Sequence, residues 1–374
     1  MTQPASEAEL AEIIAGAPAP LAVQGGETRG LPLTGDPLSV AGLTGVALYE
    51  PGALTLVAAA GTPLDEIDRL LARENQQLAF EPMDPRGLTG ANGVPTIGGA
   101  VAGNISGPRR VQAGACRDHL LGVRFVDGSG HEISNGGRVM KNVTGYDLVK
   151  LMAGSHGTLG VLTQVSLKVL PRPETRANLR ISASNPEEAV AIMSRALGSP
   201  WEVSGAAFIP SGPEAGVNLR VEGFADSVSY RIGRLKDRLA READAEIDSD
   251  PESCANLWRR IRDVAPFHNK DGDVWRISVK PTDAPDLLTR LTTKDVLLDW
   301  GGGLIWALAS EGTDLRTAMA GTKGHATLVR SGPDTARRLG VFHPDPPGLA
   351  RISAGLRARF DPRGILNPGL MEAR

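Results

Sequence analysis

The sequence predicts an α+β protein with two main parts, and three observations carry that expectation. Short apolar runs alternate with amphipathic helical stretches, and the runs read as antiparallel strands rather than as a doubly wound sheet. Pro171-Arg172-Pro173 breaks the chain straight after a strand, and proline cannot donate to a ladder, so a domain boundary is placed there. The 374 residues suffice for two domains, and 45 glycines with 27 prolines suit a chain of many turns better than a helical bundle.

Taken in order, Ser6 to Ile14 alternates acidic and aliphatic residues at helical spacing and predicts a surface helix. Pro20 to Gln24 reads as a strand ending in Gly25-Gly26. Val46–Tyr49 and Leu54–Ala59 read as strands divided by the Pro51-Gly52 turn. At Thr62-Pro63-Leu64-Asp65 a hydroxyl cap and a proline predict a helix start, with Leu64, Ile67, Leu70 and Leu71 as its buried stripe. Leu121–Val126 and His131–Ser134 flank Asp127-Gly128-Ser129-Gly130, a hairpin signal. Tyr146–Met152 predicts a brief helix and Gly160–Leu170 a strand. Beyond the break come helices at Pro186–Leu197 and Ser227–Ala240, with strands near Ala206–Ile209, Gly216–Glu222, Val274–Lys280 and Leu304–Leu308. A last helix at Gly348–Phe360 precedes the tail Asp361-Pro362-Arg363-Gly364-Ile365-Leu366-Asn367-Pro368-Gly369.

Charge narrows the function. The 40 basic and 43 acidic side chains leave a net charge of −3, without the basic excess that holds nucleic-acid phosphates. Cys116 and Cys254 are too few for a disulfide scaffold, and no CxxC pair offers zinc or iron–sulfur ligation, so no metal is expected. Cys116 reads as a small packing residue. The first residues lack the basic start and apolar run of an export signal, and the uncharged stretch from Gly87 to Pro108 is too rich in Gly, Thr, Asn and Pro to span a bilayer. A cytoplasmic protein is expected, reaching the inner face of a membrane only through partners.

Phosphate-loop, HExxH and GxSxG signatures are absent. Three glycine-rich segments stand out instead. In Gly25-Gly26-Glu27-Thr28-Arg29-Gly30, consecutive glycines let backbone N–H groups converge on an anion, with Thr28 adding a hydroxyl and Arg29 a counter-charge; a tight turn is the alternative. Pro95 to Gly107 packs small residues where a helix should begin, which suits either a flat ligand lying on the backbone or close packing of two elements. Gly154 to Thr163 is a glycine turn leading into a strand.

Together with Glu81-Pro82-Met83-Asp84-Pro85, Thr96-Ile97-Gly98-Gly99 and the tail's Phe360-Asp361-Pro362 and Asn367-Pro368-Gly369, these segments resemble the PCMH-type FAD-binding domain of the vanillyl-alcohol oxidase family. Gly107-Pro108-Arg109-Arg110, the run from Val139 to Asp147, Asp299-Trp300-Gly301-Gly302 and Gly324-His325-Ala326-Thr327-Leu328 resemble the E subunits of bacterial glycolate oxidases, over nearly the whole chain.

The resemblance implies an FAD-binding domain at 1–175, made of α+β subdomains near 1–60 and 61–175, a shortened α+β cap at 176–325, and a segment at 326–374 returning to the first domain. It implies that Gln24, Gly25, Gly26, Glu27 and Thr28 hold the pyrophosphate. Pro82, Thr96, Gly98, Gly99, Gly103, Ser106, Gly107 and Val161 would line the cofactor, with Asn367 closing the site. Some relatives tether FAD through a histidine near the first loop; here no histidine precedes His119, so non-covalent FAD is expected.

The six histidines make no local metal pair and no His-x-Gly-Asp-Gly-Asn motif. Catalytic residues stay open, with Arg110 and His325 as candidates. Arg109 and Arg110 suit either a carboxylate clamp or a salt bridge or phosphate contact. Trp275, Arg276, Lys280, Asp299 and Trp300 would form the cap's flavin-facing wall or serve packing and surface charge. Lys141 and Asn142 would order the ring or a partner loop.

The reading is therefore an FAD-binding subunit of a complex that oxidises glycolate to glyoxylate. It would serve electron transfer or assembly beside a larger FAD subunit and an iron–sulfur subunit. The alternatives are a self-sufficient dehydrogenase for a small 2-hydroxy acid and a scaffold without flavin.

Overall fold

The computed structural model describes residues 1–138, 145–239 and 244–372. The opening helix, Glu7–Gly16, starts where the Ser6 side chain accepts from the Glu9 amide, and it buries Leu10 and Ile14. Those side chains join strands β1 (Leu21–Gln24) and β2 (Asp36–Ser39), a parallel pair with Leu21 opposite Asp36, in a small core that the tail completes with Ile365 and Leu366.

A second layer follows from β3 (Val46–Glu50), β4 (Thr55–Ala59), a two-residue strand β5 (Gln76–Gln77), β6 (Leu120–Val126), β7 (Glu132–Gly136), β8 (Val161–Lys168) and a short β9 (Leu170–Pro171). Five of these form one sheet in the order β3-β4-β8-β6-β7, and β5 pairs with β9. In the β6–β7 hairpin, Asp127 accepts from the amides of Ser129 and His131, as the Asp-Gly-Ser-Gly signal suggested. Helices Leu64–Ala72, Ile97–Ala102 and Leu148–Met152 cover the sheet with an aliphatic core that includes Ile67, Leu71, Val101 and Met152.

The helix at 64 departs from expectation in its cap. Thr62 is buried and its hydroxyl donates to the Ala59 carbonyl at 2.7 Å while accepting from the Gly45 amide at 3.0 Å, so it makes no cap bond. The fixed φ of Pro63, at −59°, starts the helix instead.

The third layer is an eight-stranded antiparallel sheet made by β10 (Thr175–Ile181), β11 (Val203–Ile209), β12 (Gly216–Gly223), β13 (Ala245–Asp248), β14 (Asp273–Val279), β15 (Asp295–Asp299), β16 (Leu304–Ala309) and β17 (Gly324–Arg330). Its order is β13-β10-β12-β11-β15-β16-β14-β17. Helices Pro186–Leu197, Ala225–Leu239 and Ala284–Arg290 cover one face. Helix Pro251–Arg262 and residues of the first part, Met83, Leu88, Ile105 and Val111, pack on the other. Being covered on both faces, β11 is buried along its whole length.

A buried ionic cluster fixes how the first part meets this sheet. Arg220 on β12 holds Glu81 through two bonds of 2.9 and 3.0 Å, and Arg109 grips Glu222, on the same face of β12 two residues on, at 2.8 and 2.9 Å. Ser204 donates to Glu222 at 2.6 Å, and the Arg109 amide donates to Glu81 at 2.8 Å. Burial alone would raise the Glu81 carboxyl, but Arg220 and Arg109 bring it down to about 2.

Candidate functional site

Strand β1 delivers the chain into the loop Gly25–Gly30, which forms one wall of a cavity of about 320 Å³. Gln24, Gly25, Gly26, Glu27 and Thr28 line it, together with Gly98 and Gly99 of the Ile97–Ala102 helix, the Thr96 and Gly103 that cap its two ends, and Val161. Ten of the fourteen sequence-predicted cofactor residues therefore meet at one place. Among the described residues, no group accepts from the backbone amides of Gly25 to Arg29. The amides of Gly98 and Gly99, by contrast, are engaged with the Ala60 carbonyl at 2.8 Å and the Thr96 hydroxyl at 3.2 Å. Anion-binding capacity thus sits in the first loop.

The glycines have a different role from the one their spacing suggests. A Cβ on Gly26 would overlap the Val94 carbonyl, and one on Gly98 would lie 2.6 Å from the Ala60 Cβ. Both are required so that the walls can approach one another, which is the close-packing alternative. The ligand-facing property belongs to the free amides and to Arg29. That guanidinium makes no hydrogen bond or ion pair among the described residues, and burial holds it down to about 10.

A second chamber of about 400 Å³ joins the first, the two sharing Arg29, Leu31, Gly103 and His156. Register explains its floor. Arg276 on β14 lies opposite Trp306 and Thr327, and Ser278 lies opposite Leu304 and His325, so alternate residues of three strands present one face. Asp299 adds a carboxyl from the end of β15, and the loop side contributes Ser106, Gly107 and Arg110. Arg110 and Arg276 both stack on Trp300, with guanidinium carbons 4.4 and 5.1 Å from the ring centre, and the indole N–H donates to the Gly107 carbonyl at 3.0 Å. Burial, with Arg110 adding repulsion, lowers Arg276 to about 10, and burial pushes the Asp299 carboxyl up to about 7. His156, also desolvated, falls to about 3 and stays neutral.

Other expected positions move. Pro82 lines neither cavity; its neighbours Met83 and Pro85 line the second, because the chain turns at Glu81 to reach Arg220. Asn367 lines neither cavity. It braces their walls by accepting from the Val23 amide at 2.7 Å and donating to the Val23 and His156 carbonyls. Arg109 is committed to Glu222, the salt-bridge alternative. Trp275, alternate to Arg276, is buried on the opposite face of the sheet, and Lys280 is exposed. Cys116 packs in the core of the five-stranded sheet, and burial pushes its thiol up. Lys141 and Asn142 lie outside the described residues. His156, Leu31 and the Val94 loop were not singled out from the sequence. The signal for His156 was its place in the Gly154–Gly160 turn, where its φ is +50°.

Residues 1–135 match the family model of an FAD binding domain. The chain is 36% identical to the glycolate oxidase subunit GlcE of Escherichia coli K12, over 95% of this chain and 93% of that one. It is 37% identical to the glycolate oxidase subunit GlcD of Bacillus subtilis over 36% of this chain and 25% of the relative. Among solved structures, an alkyldihydroxyacetonephosphate synthase superposes with a TM-score of 0.69 at 16% identity, covering 98% of this chain and 76% of the other, a likeness of fold.

Proposed function

The chain belongs to the family of the glycolate oxidase subunit GlcE, and on that premise we propose that it binds FAD without a covalent bond along the two joined cavities. The observation that carries this reading is the half-buried Arg29, without a hydrogen bond or ion pair among the described residues, beside a run of open amides, a donor set that suits a diphosphate. The residues fit the group. Gln24 to Thr28 with Arg29 would take the diphosphate, Gly98, Gly99, Gly103 and Val161 give walls without long side chains, and Ser106 and Gly107 border the second chamber.

Bound FAD supplies a two-electron acceptor for hydride leaving a hydroxyl-bearing carbon. The chain's own part is to neutralise the diphosphate through Arg29, to keep water out with Leu31, Leu33 and Val40, and to hold the chamber between the glycine-rich loop and the β14–β16–β17 face. In this reading residues 1–175 carry the cofactor, 176–325 form the cap, and 326–374 return to brace the first domain through Asn367.

The chain is an FAD-dependent oxidoreductase subunit of a glycolate oxidase complex. Within it we place the chain beside a larger flavin subunit and an iron–sulfur subunit, in electron transfer or assembly. Both cysteines are buried, and no group of metal-ligating side chains occurs among the described residues. No helix among the described residues is long and apolar enough to cross a membrane, which suits attachment through partners.

The test is flavin content. Purified wild-type protein should carry FAD that denaturation releases, and Arg29→Met should lose it while remaining folded by circular dichroism. Full retention of flavin by the variant would remove the observation on which the reading stands.

A further inference from the structure

Helix Pro347–Phe360 runs for 14 residues without burying one of them fully. Leu349, Ile352, Leu356 and Phe360 recur at helical spacing and make one apolar stripe. The chain itself uses the C-terminal half of that stripe. Leu356 and Phe360 pack against the core of the five-stranded sheet, with the Phe360 ring centre 6.1 Å from that of Phe125. The N-terminal half is left open, with Leu349 and Ile352 54% and 59% exposed.

Two further features mark this ridge as a contact surface. Gly348 and Gly355 flank Ile352 at helical spacing, and a Cβ added at either would meet nothing within 4 Å. Glycine inside a helix costs stability, and no packing within the chain requires it at these two positions. Without side chains there, a second surface can approach the helix backbone closely. The helix also carries Arg351, Arg357 and Arg359 and no acidic residue. Arg357 pairs with Glu372 at 2.7 Å, whereas Arg351 and Arg359 make no hydrogen bond or ion pair among the described residues.

We propose that this ridge docks a partner subunit of the glycolate oxidase complex, through a segment that sets apolar side chains against Leu349 and Ile352 and carboxylates against Arg351 and Arg359. The inference rests on the reading of the chain as a subunit of that complex. Charge decides the occupant. A second copy pairing through the same ridge would bring arginine against arginine in either direction. Two apolar side chains among glycines offer a bilayer little area. The position also suits the complex. On its other flank the helix borders a groove of about 1150 Å³, whose lining residues Val341, Phe342 and Met371 also line the second chamber. The Phe342 ring centre lies 4.6 Å from that of His156, which lines both cavities. A partner that reaches from the ridge into this groove is separated from the proposed cofactor space by one layer of side chains.

The experiment titrates the full-length chain with the other purified subunits of the complex, and records flavin content and the melting temperature of the chain alone. Ile352→Glu and Gly355→Gln should each weaken assembly by about 10- to 100-fold, the loss of an interface anchor, with flavin content unchanged. Gly355→Gln should meanwhile raise the melting temperature of the isolated chain, which a residue needed only for folding would not do. High salt should weaken wild-type assembly, and the double variant Arg351→Glu, Arg359→Glu should weaken it at low salt. Wild-type affinity in both Ile352→Glu and Gly355→Gln would overturn the proposal and leave the functional reading standing. A wild-type chain that joins no subunit of the complex would overturn both. Self-association of the isolated chain, or binding to phosphatidylglycerol vesicles, that the same variants abolish would overturn it in favour of a second copy or a lipid surface.

Discussion

Arg29 shows what a single side chain can report about a site. Its guanidinium stands where two cavities meet, half-buried and without a partner among the described residues, so a bound anion would find a free counter-charge there. Arg29→Met is expected to weaken FAD binding by about 10- to 100-fold, read by titrating apoprotein with FAD. Gly26→Ala should act through packing, because its methyl group would meet the Val94 carbonyl; a destabilisation of about 1–3 kcal/mol in urea melts is expected, together with reduced flavin content. Asn367→Ala removes three hydrogen bonds that join the tail to β1 and to the His156 turn. At about 1 kcal/mol each, with acceptors and a donor left unmade, a loss of about 2–4 kcal/mol should appear as a lower melting temperature. The glycine pairs were legible in the sequence as a site because their spacing is unusual. Their purpose was not, since a bare sequence cannot distinguish a glycine that admits a ligand from one that admits Val94. Arg29 was legible only as a possible counter-charge, because the absence of a partner is a property of three dimensions.

The strands and helices were legible wherever periodicity and turn chemistry agreed. The helix Pro186–Leu197, announced by its amphipathic spacing, and the β6–β7 hairpin, announced by its turn residues, are the clear cases. Strand β12 was legible as a strand, but its burial was not. Asn218, Arg220 and Glu222 recur at every second residue, a pattern that ordinarily marks a solvent face, yet all three are buried. Asn218 accepts from Asn178 on the neighbouring strand, while Arg220 and Glu222 find Glu81 and Arg109, more than a hundred residues upstream, which no local window could bring to them. This cluster ties the glycine-rich part to the eight-stranded sheet, and its loss should loosen that junction. Glu81→Gln leaves Arg220 short of a counter-charge and is expected to cost about 3–5 kcal/mol. Because the Glu81 carboxyl is depressed from 4.5 to about 2 in the folded chain, its stabilisation is complete above pH 4.5 and lost as pH falls toward 2. Acid unfolding of the wild type should therefore steepen through that window, and the Gln variant should show a flatter profile there.

At the scale of the molecule, three layers meet around one elongated space: the β1–β2 loop, the helix of small residues, and the β14–β16–β17 face. The α+β class and the change of texture after Pro173 were legible from the sequence. The chamber floor was not, because it joins residues from four strands that only the sheet order brings side by side. Co-expression with a larger flavin subunit and an iron–sulfur subunit of the same complex should yield one co-purifying assembly, checked by size-exclusion chromatography with mass analysis of the peak. The central claim is that open amides and Arg29 in the joined cavities hold FAD. Its most direct test is the flavin stoichiometry of the singly purified chain, after incubation with FAD and removal of the free cofactor. The account expects one FAD per chain, released intact by denaturation; a colourless chain that takes up no flavin would contradict it.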